Sequence, residues 1–259
     1  MRKIRYSRTL SSKWLKTKIL QRSKEVRSFV PETKLLNSTN LFTMLNKHRM
    51  VYVKPVRGTS GQGVIRVERT GDGTFTYKVD KVKRRFVSYN AMFQSLSKSK
   101  LHRPYLIQKG IQLLTHRRRI FDIRVMVQKN MKNEWEVTGY IGRVAHPKKI
   151  VTNYHNSGKP ISLELLIGAY LSPSNTQTYI NKLKILGLRI AEQFQRQHPG
   201  YKEIGVDIGV DTKFKPWIIE VNTAPDPFIF NQLKNKSMYR KALRLARHHG
   251  RFRRYTKGR

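Results

Sequence analysis

The sequence predicts an α+β protein made of two subdomains. Three patterns carry that prediction. "VYVKPVRGTSGQGVIRVER" is a strand, a glycine loop and a second strand, set between helical patterns. "IFDIRVMVQ" and "EWEVTGYIGRVA" read as two long strands opening the second half. "GVDIGVDTKFKPWIIEVN" reads as two apolar strands joined by a turn, with three carboxylates in a chain that has few. Alternation with period two marks the strands, and spacings of three and four mark the helices.

The 259 residues are enough to bury a sizeable core. Hydrophobic residues make up 38%, with 12 Tyr, 11 Phe and 3 Trp, so the chain is a folded protein and not a basic tail. The net charge is +39, from 54 Lys and Arg against 15 Asp and Glu. Residues 1–30 hold ten Lys or Arg and one acid, and residues 231–259 hold eleven and none. The ends account for about half of the excess, so the body is basic in its own right. Anionic partners follow from that charge. With no cysteine, disulfides, thiolate nucleophiles and Cys-ligated metals are excluded. No apolar run approaches the roughly 20 residues that cross a bilayer, and the N-terminus lacks the apolar core of a secretory signal. A cytoplasmic location is the expectation.

Along the chain, "SSKWLKTKILQRSKEV" predicts a helix capped by Ser11 or Ser12, with Leu15, Ile19 and Val26 on one side and Pro31 beyond its end. "NSTNLFTMLNKH" predicts a second, capped by Ser38 or Asn40, with Leu41, Met44, Leu45 and His48 on one stripe. After the glycine loop, "GDG" marks a turn and Phe75, Tyr77 and Val79 alternate in a hairpin partner. "SYNAMFQSL" returns to helical spacing, and "YLIQKGI" reads as a buried strand. An irregular stretch is expected from His146 to about Leu171. Residues 175–198 predict the longest helix, with Ile180, Leu183, Ile190, Ala191 and Phe194 inward and Pro199-Gly200 as the stop. The segment "SMYRKALRLARHHGRFRRY" predicts a basic helix that frays.

The carboxylates of the late hairpin need a reason. With a loop over 211–216, Val210 pairs with Trp217 and Asp207 falls opposite Glu220. Opposed residues share a face, and Asn222 joins them two residues on. Adjacent carboxylates repel unless a cation or proton lies between them. An Asp/Glu/Asn oxygen set suits Mg2+, whose other positions go to water and phosphate oxygens. The alternative is an edge hairpin with solvated acids. The apolar neighbours in "IIEVN" favour the first reading, because a buried unpaired carboxylate is costly. Asp211 serves the turn.

Gly58, Gly61 and Gly63 follow a strand that carries Lys54. Glycines let backbone amides approach phosphate closely, and Lys54 is within reach of a phosphate there. No Lys-Ser/Thr follows, so this is not a P-loop, and a ligand-free glycine hairpin has the same pattern. Asp122 and Arg124 share one face of their strand, and Arg143 lies on the next. Inward Arg in strands implies a bound anion or an internal Asp122–Arg124 pair. Asn153 and His155 lie in a polar loop.

In this order, the motifs resemble the ATP-grasp enzymes. "VYVKP…GTSGQG" resembles the small-subdomain strand and the loop over the phosphates, and "YLIQKGI" the hinge whose backbone reads adenine. "FDIRVMV" and "GRVA…TNYHNSG" resemble the Arg- and Asn-bearing segments of RimK-type glutamate ligases. "GVDIGV…WIIEVN" resembles the metal-binding Asp and Glu-x-Asn. "SKWLKTKIL", "PETKLL", "KPVRGTSGQGVIRV", "FDIRVMVQKN…EWEVTG" and "VTNYHNSG" are similar to the YheC/YheD-type proteins associated with the coat of bacterial endospores. The resemblance covers residues 13–227.

The resemblance implies an ATP-grasp fold, two subdomains clasping ATP. It implies a partition into a basic N-terminal segment (1–36), a small subdomain (37–111), a large subdomain (112–230) and a basic tail (231–259). ATP would contact Lys13, Lys54, Gly58, Ser60, Gly61, Gly63, Gln108, Lys109, Gly110, Ile111 and Asn153. Asp207, Glu220 and Asn222 would hold one or two Mg2+ ions. Lys54 would bind phosphate, and Arg124 and Arg143 would stabilise the transferred phosphoryl group or the substrate carboxylate. The implied reaction joins a carboxylate to an amine through an acyl phosphate. The substrate and acceptor are expected to be anionic, and a spore surface or anionic polymer is a further expected partner. Two departures bear on the substrate. Only about 30 basic residues stand where these ligases carry a preceding domain, and Gly158-Lys159 stands where RimK-like members have Gly-Gly. A nucleotide-binding coat protein without turnover is the competing expectation, and a nucleic-acid binder using the basic ends is a third.

Overall fold

Alternation in the strands sorts their side chains onto two separate sheets. The structure is a computed structural model that describes residues 10–58, 61–145 and 159–252. Helix α1 (Lys13–Gln21) comes first, with the Ser12 side chain accepting the Leu15 N–H as its cap. It is shorter than the pattern predicts. The Ser23 N–H bonds back to the Leu20 carbonyl, an i→i−3 bond that tightens the chain out of the helix. Val26 is still fully buried, beyond the helix end.

The first sheet has six strands: β1 (Thr33–Leu35), β2 (Met50–Pro55), β3 (Ile65–Arg69), β4 (Phe75–Val79), β5 (Val82–Phe86) and β6 (Tyr105–Lys109). Their order is β1-β6-β2-β3-β4-β5, antiparallel throughout. Helices α2 (Ser38–His48) and α3 (Tyr89–Ser99) cover one face. Val51, Val53, Ile65, Val67 and Tyr77 meet Leu41, Met44, Leu45, Met92 and Leu96 there. Asn37 caps α2, one residue ahead of the expected Ser38, which is already helical. Strands β1 and β5 were not expected. β1 is too short to show alternation, and the middle of β5 is Lys-Arg-Arg, the charged character that protects a sheet edge.

The second sheet has β7 (Thr115–His116), β8 (Arg119–Lys129), β9 (Trp135–Val144), β10 (Lys159–Ile161), β11 (Glu203–Val210) and β12 (Pro216–Asn222). The order is β10-β9-β8-β11-β12, with β7 pairing the start of β8. Part of the stretch read as irregular is regular: β10 and helix α4 (Leu163–Gly168) lie in it. Helix α5 (Pro173–Gln197) starts two residues before the predicted position because Ser172 caps it and Pro173 suits its first turn. Phe121, Ile123, Val125 and Val127 of β8 point at Leu183, Leu186, Ile190 and Phe194 of α5.

The other face of this sheet is divided. At one end, Met126 and Ile141 are covered by Ile229 and Phe230 of a 3-10 turn and by Ala242 of helix α6 (Ser237–His248). That helix was expected to fray, yet it is docked. Ala242, Leu245 and Ala246 are buried, Gln128 Nε2 donates to the Ala242 carbonyl, and Arg251 pairs with the buried Glu203. At the other end, Asp122, Arg124 and Arg143 face the first sheet. Among the described residues, no helix is long and apolar enough to cross a membrane.

Gly187 lets α5 approach β8. A Cβ there would stand 2.9 Å from Val125 Cγ1 and 3.2 Å from Val127 Cγ2. Glycine in a helix interior costs about 1 kcal/mol relative to alanine, so the close contact is its reason. Gly187→Leu is expected to lower the unfolding free energy by about 1–3 kcal/mol through overpacking. Gly187→Ala should lose less, because it recovers helix propensity. Urea midpoints of the two variants check both.

Candidate functional site

In the late hairpin, Asp207 stands opposite Glu220, and Gly205 opposite Asn222. The route to that register differs from the predicted one. Val210 pairs with Pro216 and not with Trp217, and a β-bulge between Asp207 and Ile208 restores the pairing further down. The turn is tightened by Asp211, which accepts from the Lys213 and Lys215 N–H groups and from Trp217 Nε1. Asn222 Nδ2 donates to Asp207 Oδ2 at 3.3 Å, so these two side chains share a face.

Asp207 is held by two arginines. Arg124, its cross-strand neighbour on β8, takes both carboxylate oxygens, and Arg143 Nη2 lies 3.1 Å from Oδ2. Arg143 also forks onto Asp122, its opposite number, at 2.7 and 2.6 Å. The internal pair considered for Asp122 and Arg124 is therefore absent as drawn. Both lie on one strand, and each reaches across to the adjacent strand instead. All four side chains are nearly fully buried. Burial opposes the Asp207 charge, but Arg124 and Arg143 overcome it and hold the carboxyl well below the usual range. Burial likewise opposes the Arg143 charge, and Asp122 and Asp207 outweigh it.

Glu220 has lysine partners. Lys13 Nζ lies 3.1 Å from Oε1 and donates to the Gly58 carbonyl at 2.6 Å. One ammonium thus joins α1, the glycine loop and the hairpin. Lys16 Nζ donates to the Val221 carbonyl at 2.6 Å and lies 4.0 Å from Glu220. Burial lowers the Lys16 pKa.

Between the sheets is a cleft of about 930 Å³. Tyr52, Pro55, Val64, Ile111, Leu113, Ile120 and Ile219 give it apolar walls, and Lys13, Lys54, Asp122, Arg143, Asp207 and Glu220 line it with charge. Lys54 donates to Gln108 Oε1 at 2.6 Å. Burial pulls its pKa down to about 8, against the opposing pull of Glu220.

The cleft gathers Lys13, Lys54, Gly58, Gly61, Gln108, Lys109, Ile111, Arg143, Asp207 and Glu220 at its walls. Arg124 and Asn222 stand behind, bonded to Asp207. Gly63 has φ +71°, and a Cβ there would meet Tyr105 Oη at 2.8 Å. Gly110 has a packing role: a Cβ would stand 1.9 Å from Met50 Sδ. Ser60 and Asn153 lie outside the described residues. Lys16, Tyr52, Gln62 and Ile219 were missed. Only Lys16 had a signal, one helical turn beyond Lys13 on the same side.

Among the described residues, no three His, Asp or Glu side chains converge as a self-sufficient metal cage. The donor chemistry still suits Mg2+, which is commonly bound by one or two carboxylates plus phosphate oxygens and water. Glu220, Asp207 and the Asn222 amide oxygen are all oxygen donors. The Lys13 ammonium on Glu220 shows that a cation is stable at that carboxylate. Lys13, Lys16, Lys54, Arg124 and Arg143 oppose three carboxylates, Asp122, Asp207 and Glu220. That surplus of positive charge favours an anionic ligand.

Residues 4–252 match the family model described as "YheC/D like ATP-grasp". The chain is 30% identical over 233 residues to the endospore coat-associated protein YheD of Bacillus subtilis (strain 168), covering 87% of this chain and 51% of that protein. It is 23% identical over 222 residues to YheC of the same organism, covering 84% and 61%. The chain thus spans roughly half to three fifths of these curated relatives. Among solved structures, it resembles N5-carboxyaminoimidazole ribonucleotide synthetase from Thermotoga maritima (TM-score 0.51, 13% identity, 91% of this chain and 48% of that one). It also resembles the Aspergillus clavatus N5-carboxyaminoimidazole synthase bound to ADP and 5-aminoimidazole ribonucleotide (TM-score 0.53, 12% identity, 92% and 51%). Those likenesses establish the fold. A glycine loop over a cleft, a carboxylate hairpin beneath it and a match along almost the whole sequence lead to one conclusion: this chain is a member of the YheC/D-like ATP-grasp family.

Proposed function

We propose that the chain is an ATP- and Mg2+-dependent ligase. It would join a carboxylate to an amine through an acyl phosphate, on an anionic substrate and in a spore-associated setting. The observation that carries this is the two-part cleft, with apolar walls for a flat base and a surplus of cations for a triphosphate. Glu220, Asp207 and Asn222 would hold Mg2+, which supplies charge neutralisation on the phosphate oxygens.

The chemistry asks little of side-chain nucleophiles. The substrate carboxylate oxygen attacks the γ-phosphorus of ATP, and the bond to the bridging oxygen breaks, giving ADP and an acyl phosphate. The amine nitrogen then attacks the acyl carbon, the carbon–oxygen bond to phosphate breaks, and the amine proton passes to solvent. Lys54 offsets phosphate charge, and Arg143 faces the cleft with a guanidinium oriented by Asp122. Arg124 holds Asp207 from behind and acts through it.

A second reading has support in the ion pairs of Glu220 and Asp207. Both carboxylates are charge-balanced by the protein itself, as a nucleotide-binding coat protein without turnover requires. The curated relatives are named for the endospore coat. Phosphate release from Mg2+·ATP, measured with a panel of amino acids and acidic peptides, separates the two. Release stimulated by an acceptor is expected. ATP binding with no release under any acceptor would establish the second reading.

Two variants test the residue roles. Glu220→Gln is expected to abolish the strengthening of ATP binding by Mg2+ in calorimetry. An unchanged Mg2+ effect would remove Glu220 from the metal site. Lys54 is charged below about pH 8 and loses its proton as pH rises through that value. Nucleotide affinity should therefore fall between pH 7 and pH 9 in the wild type. Lys54→Arg, whose charge persists across that range, should flatten the dependence.

A further inference from the structure

We infer that the outer face of helices α2 and α3 is where a second copy of this chain docks, the two copies meeting back to back. The observation is where the charges are not. In a chain with 27% charged residues, the runs 35–46 and 86–97 contain no Lys, Arg, Asp or Glu. These runs hold most of α2 and α3. The solvent side of an amphipathic helix ordinarily carries the charges. Helix α6 follows that rule, with Arg240, Arg244 and Arg247 exposed. Helix α2 instead exposes Thr39, Phe42, Thr43 and Asn46, and α3 exposes Ala91 and Gln94. Thr and Asn are poorer helix formers than Lys, Arg or Glu, so a helix surface meant only for water gains nothing from them.

Aromatic rings take the place of the charges. Phe42 is 43% exposed and stands edge-on to Tyr89, with 4.9 Å between ring centroids. The Tyr89 hydroxyl donates to the Ser38 carbonyl, which ties the two helices together, and its ring stacks on Phe93. Val87, just ahead of α3, is 88% exposed. Charge returns at the C-terminal ends of the helices, at Lys47, Arg49 and Lys98. An uncharged, aromatic centre inside a charged rim is the composition of a protein interface. The described chain breaks off at Leu10, Gly58, Ala145 and Phe252, and none of these belongs to the core that α2 and α3 build.

The charge balance selects the occupant. An anionic partner gains its attraction from bases, and this face has none to offer at its centre. A second copy, itself at +39, is repelled by bases and meets least repulsion here. A two-fold contact asks one patch to supply both knob and hollow, and Phe42 and the small Ala91 do so. Lys54 and Gln108 line the cleft from the opposite face of the same sheet, so both clefts of such a pair stay open. Each helix has 11 residues and is about 16 Å long. That footprint is small, which places the dimer among weak interfaces.

Sedimentation velocity of the full chain, at concentrations up to about 200 µM, tests the dimer. Its fraction should rise with concentration. It should rise further when NaCl goes from about 0.1 M to about 0.5 M, because salt screens the repulsion between two cationic bodies. Phe42→Lys and Ala91→Lys should each weaken dimerisation about tenfold or more. Ala91 is exposed on a helix surface, so its variant keeps the test valid if Phe42→Lys loses stability. The control is Leu165→Lys, which puts the same charge on an exposed apolar side chain of another long uncharged run, residues 165–181. It should change dimerisation by less than about twofold. A monomer at the highest concentration in both salts would overturn the inference. So would a dimer that survives both variants, or one that Leu165→Lys breaks instead. Association that weakens as salt rises would also overturn it, because that is the mark of a charge-paired contact.

Discussion

Asp122, Arg124, Arg143 and Asp207 lie on three adjacent strands, and the site depends on how they neutralise one another. Each cation is directly opposite a carboxylate, and Arg143 reaches past its partner to a second. An unpaired charge at such burial would cost several kcal/mol, so the four stand or fall together. The arrangement fixes the direction of each fork. It also keeps Asp207 ionised where burial alone would protonate it. Near these four stand Lys13, Lys16 and Lys54, each from outside the second sheet.

The two sheets divide the labour. The first offers lysines and a glycine loop on strands whose other face is packed by helices. The second offers a rigid charged floor, braced from behind by α5 and closed at its far end by α6. Helix α1 belongs to neither sheet, yet it is tied to both sides of the cleft. Its Lys13 contacts the glycine loop and the hairpin, and its Lys16 holds the β12 backbone between Glu220 and Asn222. A short basic segment that reads in sequence as a lead-in is part of the floor plan.

Much of the architecture was legible in the sequence because it follows from periodicity. Helix α5 follows from its apolar spacing, whereas Asp207 meets Glu220 only because a bulge offsets a turn one residue tighter than the expected one. Partners of the arginines could not be read, since same-strand neighbours such as Asp122 and Arg124 look like a pair until strand order is known. β5 was invisible because its protective charges erase alternation. Lys16 has the signal of standing one helical turn from Lys13, but only the meeting of α1 with β12, some 200 residues later, buries it. α6 looked like a fraying tail because its basic face dominates its composition, while four apolar residues suffice to dock it.

The bulge in the late hairpin has a consequence for how this sequence can vary. Ile219 and Glu220 are consecutive, yet both line the cleft, which a regular strand forbids. Gly209 makes room for it: a Cβ there would stand 2.9 Å from Ile219 Cδ1. The extra residue puts the tip and the base of the hairpin in different phases. Losing either Ile219 or Glu220 would leave a regular ladder and take from the cleft its apolar wall or its acid, with every other side chain still on its own face. The hairpin is thus more tolerant of changes in residue identity than of changes in length, and its residue count is itself part of the site.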